Sequence, residues 1–405
     1  MLTDTQRRAL DQSIYDYLAI HHPSVAVTLA SATPDTVTIP AADAPPPPPG
    51  PTLLEKKWSS VLRLQKKVLD LEAQMKKIGV GMNGGGALHA GKMLPAFDQP
   101  PKPSRGHRGG GITAVSIHPT HNTIATSGED GTVKIWEWET GEFLQTLKGH
   151  TSGVQDVSYS GSGHLLASSS ADLTIKLWDP EKNYQCVKTL RGHSHNISCV
   201  RFIAPGDEFL VSCSRDNSVK FWEASTGFCT GTVEEHEGWV RALAVKCDGA
   251  EFASGGNDSY INVYDTKTKK VTQTLSGHDH IVTSLAYPPL PPESKSPDPA
   301  TLNLLVSTSR DKTVRLWDTH TGTNLHTFTD HDNWVRDVLV HRSRNYAISV
   351  SDDKAIIIWD LKNKRKLRKC DDAHGHFITS IAMHPSRMIL CTGGVDNTLN
   401  SWVVK

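Results

Sequence analysis

One unit of about 42 residues recurs seven times from residue 105 onward, and this repeat constrains the fold more than any other feature. An aromatic residue closes each unit: Trp136, Trp178, Trp222, Tyr264, Trp317, Trp359 and Trp402. Their spacings are 42, 44, 42, 53, 42 and 43 residues, and the long one contains the surface insertion "PPLPPESKSPDPA". An aspartate stands six residues before each aromatic: Asp130, Asp172, Asp216, Asp258, Asp311, Asp353 and Asp396. Four residues before each aspartate lies a hydroxyl: Thr126, Ser168, Ser212, Ser254, Ser307, Ser349 and Thr392. A histidine begins every unit: His107, His150, His193, His236, His278, His331 and His374. Within each unit, short runs alternate apolar and polar residues between turn signals, the pattern of half-buried strands. One small sheet cannot bury both of its faces. A closed ring lets every unit cover its neighbour and leaves no exposed end.

The His, Ser/Thr, Asp and Trp positions resemble WD repeats. The resemblance implies a mainly β fold, a seven-bladed propeller of four-stranded antiparallel sheets. Lys405 follows Trp402 by three residues, so the outer strand of the last blade is expected from the segment before His107. In the other units an apolar residue precedes the next histidine by three: Leu147, Leu190, Val233, Leu275 and Phe328. Cys370 takes that place four before His374, and Ser104 takes it at the closure, amid Pro100, Pro101 and Pro103. Prolines are tolerated on an edge strand, and the seam is expected to be the weakest part of the ring. A Ser–His–Asp constellation invites a hydrolase reading, but seven copies around a ring argue for structure. WD repeats bury these groups as a hydrogen-bond network, exemplified by His150, Ser168, Asp172 and Trp178 and by His278, Ser307, Asp311 and Trp317. Tyr264 replaces tryptophan in the fourth unit, where a phenol can still join, and Val403 replaces the usual final acid in the seventh.

The first 104 residues differ in composition. Leu10, Ile14, Tyr17 and Leu18 share one face of a predicted helix within residues 1–39. A Pro-rich linker covers residues 40–52 and reads as an extended spacer. Residues 53–78 fit a heptad, with Leu54, Val61, Val68 and Met75 at a, and Lys57, Leu64, Leu71 and Ile78 at d. Valine at a with leucine at d favours a parallel two-stranded coil. Residues 79–104 read as a Gly/Pro-rich tether ending in the closing strand, and 105–405 as the propeller. "GALHAGKM" echoes a phosphate-binding loop, but Met93 stands where a magnesium-holding hydroxyl belongs and no apolar strand precedes it.

Bulk properties narrow the function classes. Lys+Arg and Asp+Glu both number 43, so net charge argues for neither nucleic acid nor membrane. The charged N-terminus lacks a signal-peptide core, and no run approaches a membrane span. Seven scattered cysteines without a CxxC pair read as reduced cytosolic thiols. The histidine pairs His193/His195, His278/His280 and His374/His376 lack further ligands, so no metal and no cofactor are expected.

What the network leaves over is informative. "HEGWVRA" and "HDNWVRD" place Trp239–Arg241 and Trp334–Arg336 in equivalent loops of units four and six. The residue before the network aspartate should point to the same rim, and it is arginine only at Arg215 and Arg310, in units three and five. Arg215 should therefore approach Trp239 and Arg241, and Arg310 should approach Trp334 and Arg336. Exposed tryptophan with arginine is the usual composition of a protein-binding hot spot. A single localised patch suggests a protein partner and not a nucleic acid.

The whole order resembles the lissencephaly-type (nuclear-distribution F) WD-repeat regulators of cytoplasmic dynein. The resemblance rests on "LLEKKWSSVLRLQKKVLDLE", "GHTSGVQDVSYSGSGHLLASSSADLTIKLWD" and "HDNWVRDV", and covers nearly the full chain. "HHPSVAVTLASAT" departs from that family's second-helix pattern. The resemblance implies a non-catalytic homodimer, joined through a Lis-homology-like helix and the coil. Its propeller face would bind the dynein heavy-chain motor domain through Arg215, Trp239, Arg241, Arg310, Trp334 and Arg336. It further implies a nuclear-distribution E-type coiled-coil partner, association with microtubule plus ends and the spindle pole in the cytoplasm, and roles in minus-end-directed transport, nuclear migration and spindle positioning. The alternative is a generic WD-repeat scaffold or a substrate-receptor subunit of another complex.

Overall fold

A computed structural model describes residues 102–403 apart from Arg108, Pro205, 290–302 and Met388. The expected helix (Leu10, Ile14, Tyr17, Leu18) and coil (Leu54 to Ile78) lie outside these residues. The described chain contains 28 strands and no helix. They form seven four-stranded antiparallel sheets. Six sheets use four consecutive strands. The seventh takes Ile378–Met383, Ile389–Gly394 and Thr398–Val403, and borrows Lys102–Arg105 from the other end of the chain. We number the blades one to seven from the sheet that begins with Ile112–Ile117.

The closure follows the register of the repeat. Leu147, Leu190, Val233, Leu275, Phe328 and Cys370 pair with Val133, Ile175, Val219, Ile261, Val314 and Ile356. Ser104 pairs with Leu399 in the same relation. Its hydroxyl donates to the carbonyl of Gly141 in blade one at 2.9 Å. A polar side chain at this position is thus satisfied by the neighbouring blade and adds no apolar burial.

Burial explains the ring. Each apolar cluster draws residues from two adjacent blades. One joins Val133, Ile135 and Leu147 of blade one to Val154, Leu166 and Trp178 of blade two. Another joins Ile112, Ile124 and Trp136 of blade one to Ile389, Cys391 and Leu399 of blade seven, so the seam has a core like the rest. The strands contribute by alternation: the two faces of one sheet feed two different clusters. All seven cysteines are unpaired.

In each blade a relay runs from the aromatic to the aspartate. In blade two, Trp178 Nε1 donates to Ser168 Oγ at 2.9 Å. With the proton on His150 Nδ1, Ser168 donates to His150 Nε2 and His150 donates to Asp172, both at 2.8 Å. In blade five the three contacts among Trp317, Ser307, His278 and Asp311 are all 2.7 Å. The hydroxyls are fully buried. Burying such a group without a partner would cost roughly 1–3 kcal/mol, so the relay is a condition of burial. In blade four the link to the aromatic is weak, because Ser254 Oγ lies 3.4 Å from the Tyr264 hydroxyl. Tyr264 instead stacks on Phe252, with ring centres 4.6 Å apart.

Candidate partner-binding face

The innermost strand of every blade carries a register shift at its second residue. A β-bulge frees one residue from the ladder and re-aims its side chain. The seven bulge residues are Thr113, Gln155, Ser198, Arg241, Thr283, Arg336 and Thr379. Together they line one central cavity of about 110 Å³, the channel of the ring. Thr113, Thr283 and Thr379 donate across to backbone carbonyls of the next blade at 2.6–2.7 Å. Arginine at two of these positions therefore puts guanidinium groups where other blades keep small polar side chains.

Those two arginines are tied to the turns of their own blades. Arg336 donates from Nε and Nη2 to Asp352 at 2.8 and 2.7 Å, a fork that matches the carboxylate. Arg241 donates from Nε to the side-chain oxygen of Asn257 at 2.5 Å. The same turns are fixed by backbone bonds, Asn257 N to the Trp239 carbonyl at 2.8 Å and Asp352 N to the Trp334 carbonyl at 2.9 Å.

The expected approach across blades is present. Arg215 lies over the Trp239 ring at 4.6 Å, with Arg241 at 5.6 Å. Arg310 lies over the Trp334 ring at 4.4 Å, with Arg336 at 5.4 Å. Trp239 and Trp334 remain 39% and 37% exposed. Each tryptophan is thus a partly open aromatic face gripped by two cations.

The two clusters are also less separate than their sequence positions imply. Burial lowers the Arg241 pKa to about 10, aided by repulsion from Arg310, Arg215 and Arg336. Burial and Arg336 likewise lower that of Arg310, against attraction from Asp352. The four guanidiniums therefore form one arc, a single arginine on each of blades three, four, five and six. At the corresponding positions, blades seven, one and two offer Thr379, Thr113 and Gln155, with Val395, Glu129 and Ala171 on the turns.

Sequence reasoning placed these six residues in two clusters, on blade pairs three–four and five–six, but missed their supports. Asn257 and Asp352 were visible as the residues before the network aspartates. A further group deeper in the channel was not foreseen: Arg201 of blade three forms an ion pair with Asp156 of blade two. Asp337 of blade six accepts from Ser284 at 2.7 Å and Ser380 at 3.0 Å, joining blades five, six and seven. Among the described residues no group of His, Cys, Asp and Glu has the geometry of a metal site, and no helix is long and apolar enough to cross a membrane.

This architecture defines a repeat protein, a seven-bladed propeller closed by its own N-terminal strand. The WD domain, G-beta repeat model matches residues 99–137, 141–179, 184–223, 227–265, 269–318, 322–360 and 365–402. The chain is 38% identical to nuclear distribution protein PAC1 of Coccidioides posadasii strain C735, over 98% of this chain and 90% of that protein. It is 37% identical to nuclear distribution protein nudF of Emericella nidulans, over 95% and 90% of the two chains. To PAC1 of Gibberella zeae it is 40% identical, over 95% and 88%. The chain belongs to the nuclear distribution protein PAC1/nudF family of WD-repeat proteins.

Proposed function

We propose that this chain is a non-catalytic, dimeric regulator that binds the motor domain of cytoplasmic dynein through its arginine–tryptophan face. In this reading it promotes minus-end-directed transport, nuclear migration and spindle positioning. The observation that carries the proposal is the arc itself: two partly exposed tryptophans and four arginines on four consecutive blades, none of them required by the repeat. Such residues cluster at the centres of protein interfaces, where truncation can cost about 2 kcal/mol or more. The names of the relatives point to the same pathway. The serine hydroxyls of the relays support a non-catalytic role, because each is fully buried and already bonded to histidine.

The homodimer is assigned to residues 1–39 and 53–78, and the further partner is a nuclear-distribution E-type coiled-coil protein. The places of action are the cytoplasm, microtubule ends and the spindle pole. Two propellers on one dimer would raise apparent affinity by about 10²–10⁴ through effective concentration. The test is capture of purified motor domain by the full chain. Arg310→Ala with Trp334→Ala should weaken capture at least about a hundredfold while the melting temperature stays within a few degrees. Undiminished capture would refute this face. Light scattering should return twice the 44.3 kDa chain mass, and a monomer would sink the dimer.

A further inference from the structure

Among the four arginines of the arc on blades three to six, one is hydrogen-bonded to a carboxylate: Arg336 holds Asp352 through two contacts. Arg201, deeper in the channel, is paired with Asp156. Arg215 and Arg241 flank the Trp239 ring with no carboxylate bonded to either, and Arg310 feels Asp352 only at longer range while Arg336 repels it. Arg241 has only the neutral amide of Asn257. The Nε of Arg310 is shielded from solvent and meets no hydrogen-bond acceptor among the described residues. An N–H in that state lacks both water and protein. The polar cavity of about 110 Å³, into which Arg241 and Arg336 project, has room for several waters or one tetrahedral oxyanion.

We propose that this mouth of the channel is a phosphoryl-anion site, built by Arg215, Arg241 and Arg310 and oriented by Asn257. The charge count selects the ligand. Blade six shows what one carboxylate does here: it satisfies a single guanidinium. A carboxylate added to the remaining three would leave two of them opposed. A phosphoryl group carries up to two charges and three acceptor oxygens, and so can bridge neighbouring guanidiniums. The bulge at Arg241 and the turn at Arg310 hold the groups in place before the anion arrives, which limits the ordering cost of binding. The site shares its arginines with the docking face proposed above, but as an anion site it needs no motor protein. The phosphoryl group could be delivered by a free polyphosphate or by a phosphorylated side chain.

Isothermal titration of the full chain tests this with two probes, inorganic pyrophosphate and a Gly-Ala peptide bearing one phosphoserine. The unphosphorylated peptide is the blank, and ionic strength is held constant with chloride. At least one probe should bind saturably at one per chain. Arg215→Gln and Arg241→Gln should each weaken it about tenfold. Arg241→Lys should keep binding within about threefold, and Lys188→Gln, on the outer strand of blade two, should change nothing. Arg215 makes no hydrogen bond through its side chain on which folding depends, so its variant remains informative if Arg241→Gln unfolds. Tighter pyrophosphate binding assigns the site to a free polyphosphate, and tighter phosphopeptide binding assigns it to a modified partner. Absence of saturable binding by either probe, or binding indifferent to both arginine substitutions, overturns the site. Motor capture scored separately keeps the two proposals apart, because either can fail while the other stands.

Discussion

Blade pairs three–four and five–six carry the same aromatic–arginine motif on different supports. In the second pair, the bulge arginine Arg336 is forked onto Asp352, and the relay below ends in Trp359, bonded to Ser349 at 2.8 Å. In the first pair, Arg241 meets a neutral Asn257, and the relay ends in Tyr264 at 3.4 Å. The first is charged and loosely tied, and the second is compensated and tight. Similar outer residues thus serve different ends. The first pair offers two arginines without a bonded carboxylate, while in the second only Arg310 stays unbonded and Arg336 holds its turn through Asp352.

Substitutions can break that comparison. Trp359→Phe should cost about 2–3 kcal/mol in urea unfolding, since it opens space and strips the relay of a donor. Tyr264→Phe should cost less than about 0.5 kcal/mol, because the contact it removes is already long; equal losses would mean that the two relays are equivalent. Asp352→Asn should cost about 1–2 kcal/mol by stranding the half-buried Arg336. The reciprocal Asn257→Asp should stabilise the first pair by about 0.5 kcal/mol and weaken its anion binding severalfold. A destabilised Asn257→Asp chain would show that the environment of Arg241 cannot accept a carboxylate. At the closure, Ser104→Ala removes one hydrogen bond and should cost about 0.5–1 kcal/mol.

The ring was legible because its constraints are repeated. Seven copies of the relay fix strand order, and the apolar residue before each histidine fixes the outer-strand register. The place of Cys370 and the borrowed strand at Ser104 could therefore be read by offset. The approach of Arg215 to Trp239, and of Arg310 to Trp334, was readable for the same reason. What the repeat could not reveal depends on residues that differ among blades. The bulge turns Arg241 and Arg336 toward the channel, and this merges two expected clusters into one arc. Nothing in "WVR" announces a bulge, because it shows only as a register shift against the partner strand. The pairing of Arg201 with Asp156 was equally hidden, as neither residue belongs to the repeat pattern. The roles assigned to Leu10 through Ile78 lie outside the described residues and rest on periodicity and family resemblance.

The strand Lys102–Arg105 holds four residue pairs with its neighbour, as many as the outer strands of blades one, three and four. It is also the point where the preceding chain joins the ring. Any tension arriving from residues 1–101 is therefore carried first by that short ladder. Under pulling, failure is governed by a rate and not by equilibrium stability. A chain pulled from its N-terminal side against a held propeller would load its borrowed strand before any other. Blade seven would become three-stranded, its outer strand Thr398–Val403 left open to a new partner. The clasp that completes the ring thus has the makings of a mechanical fuse.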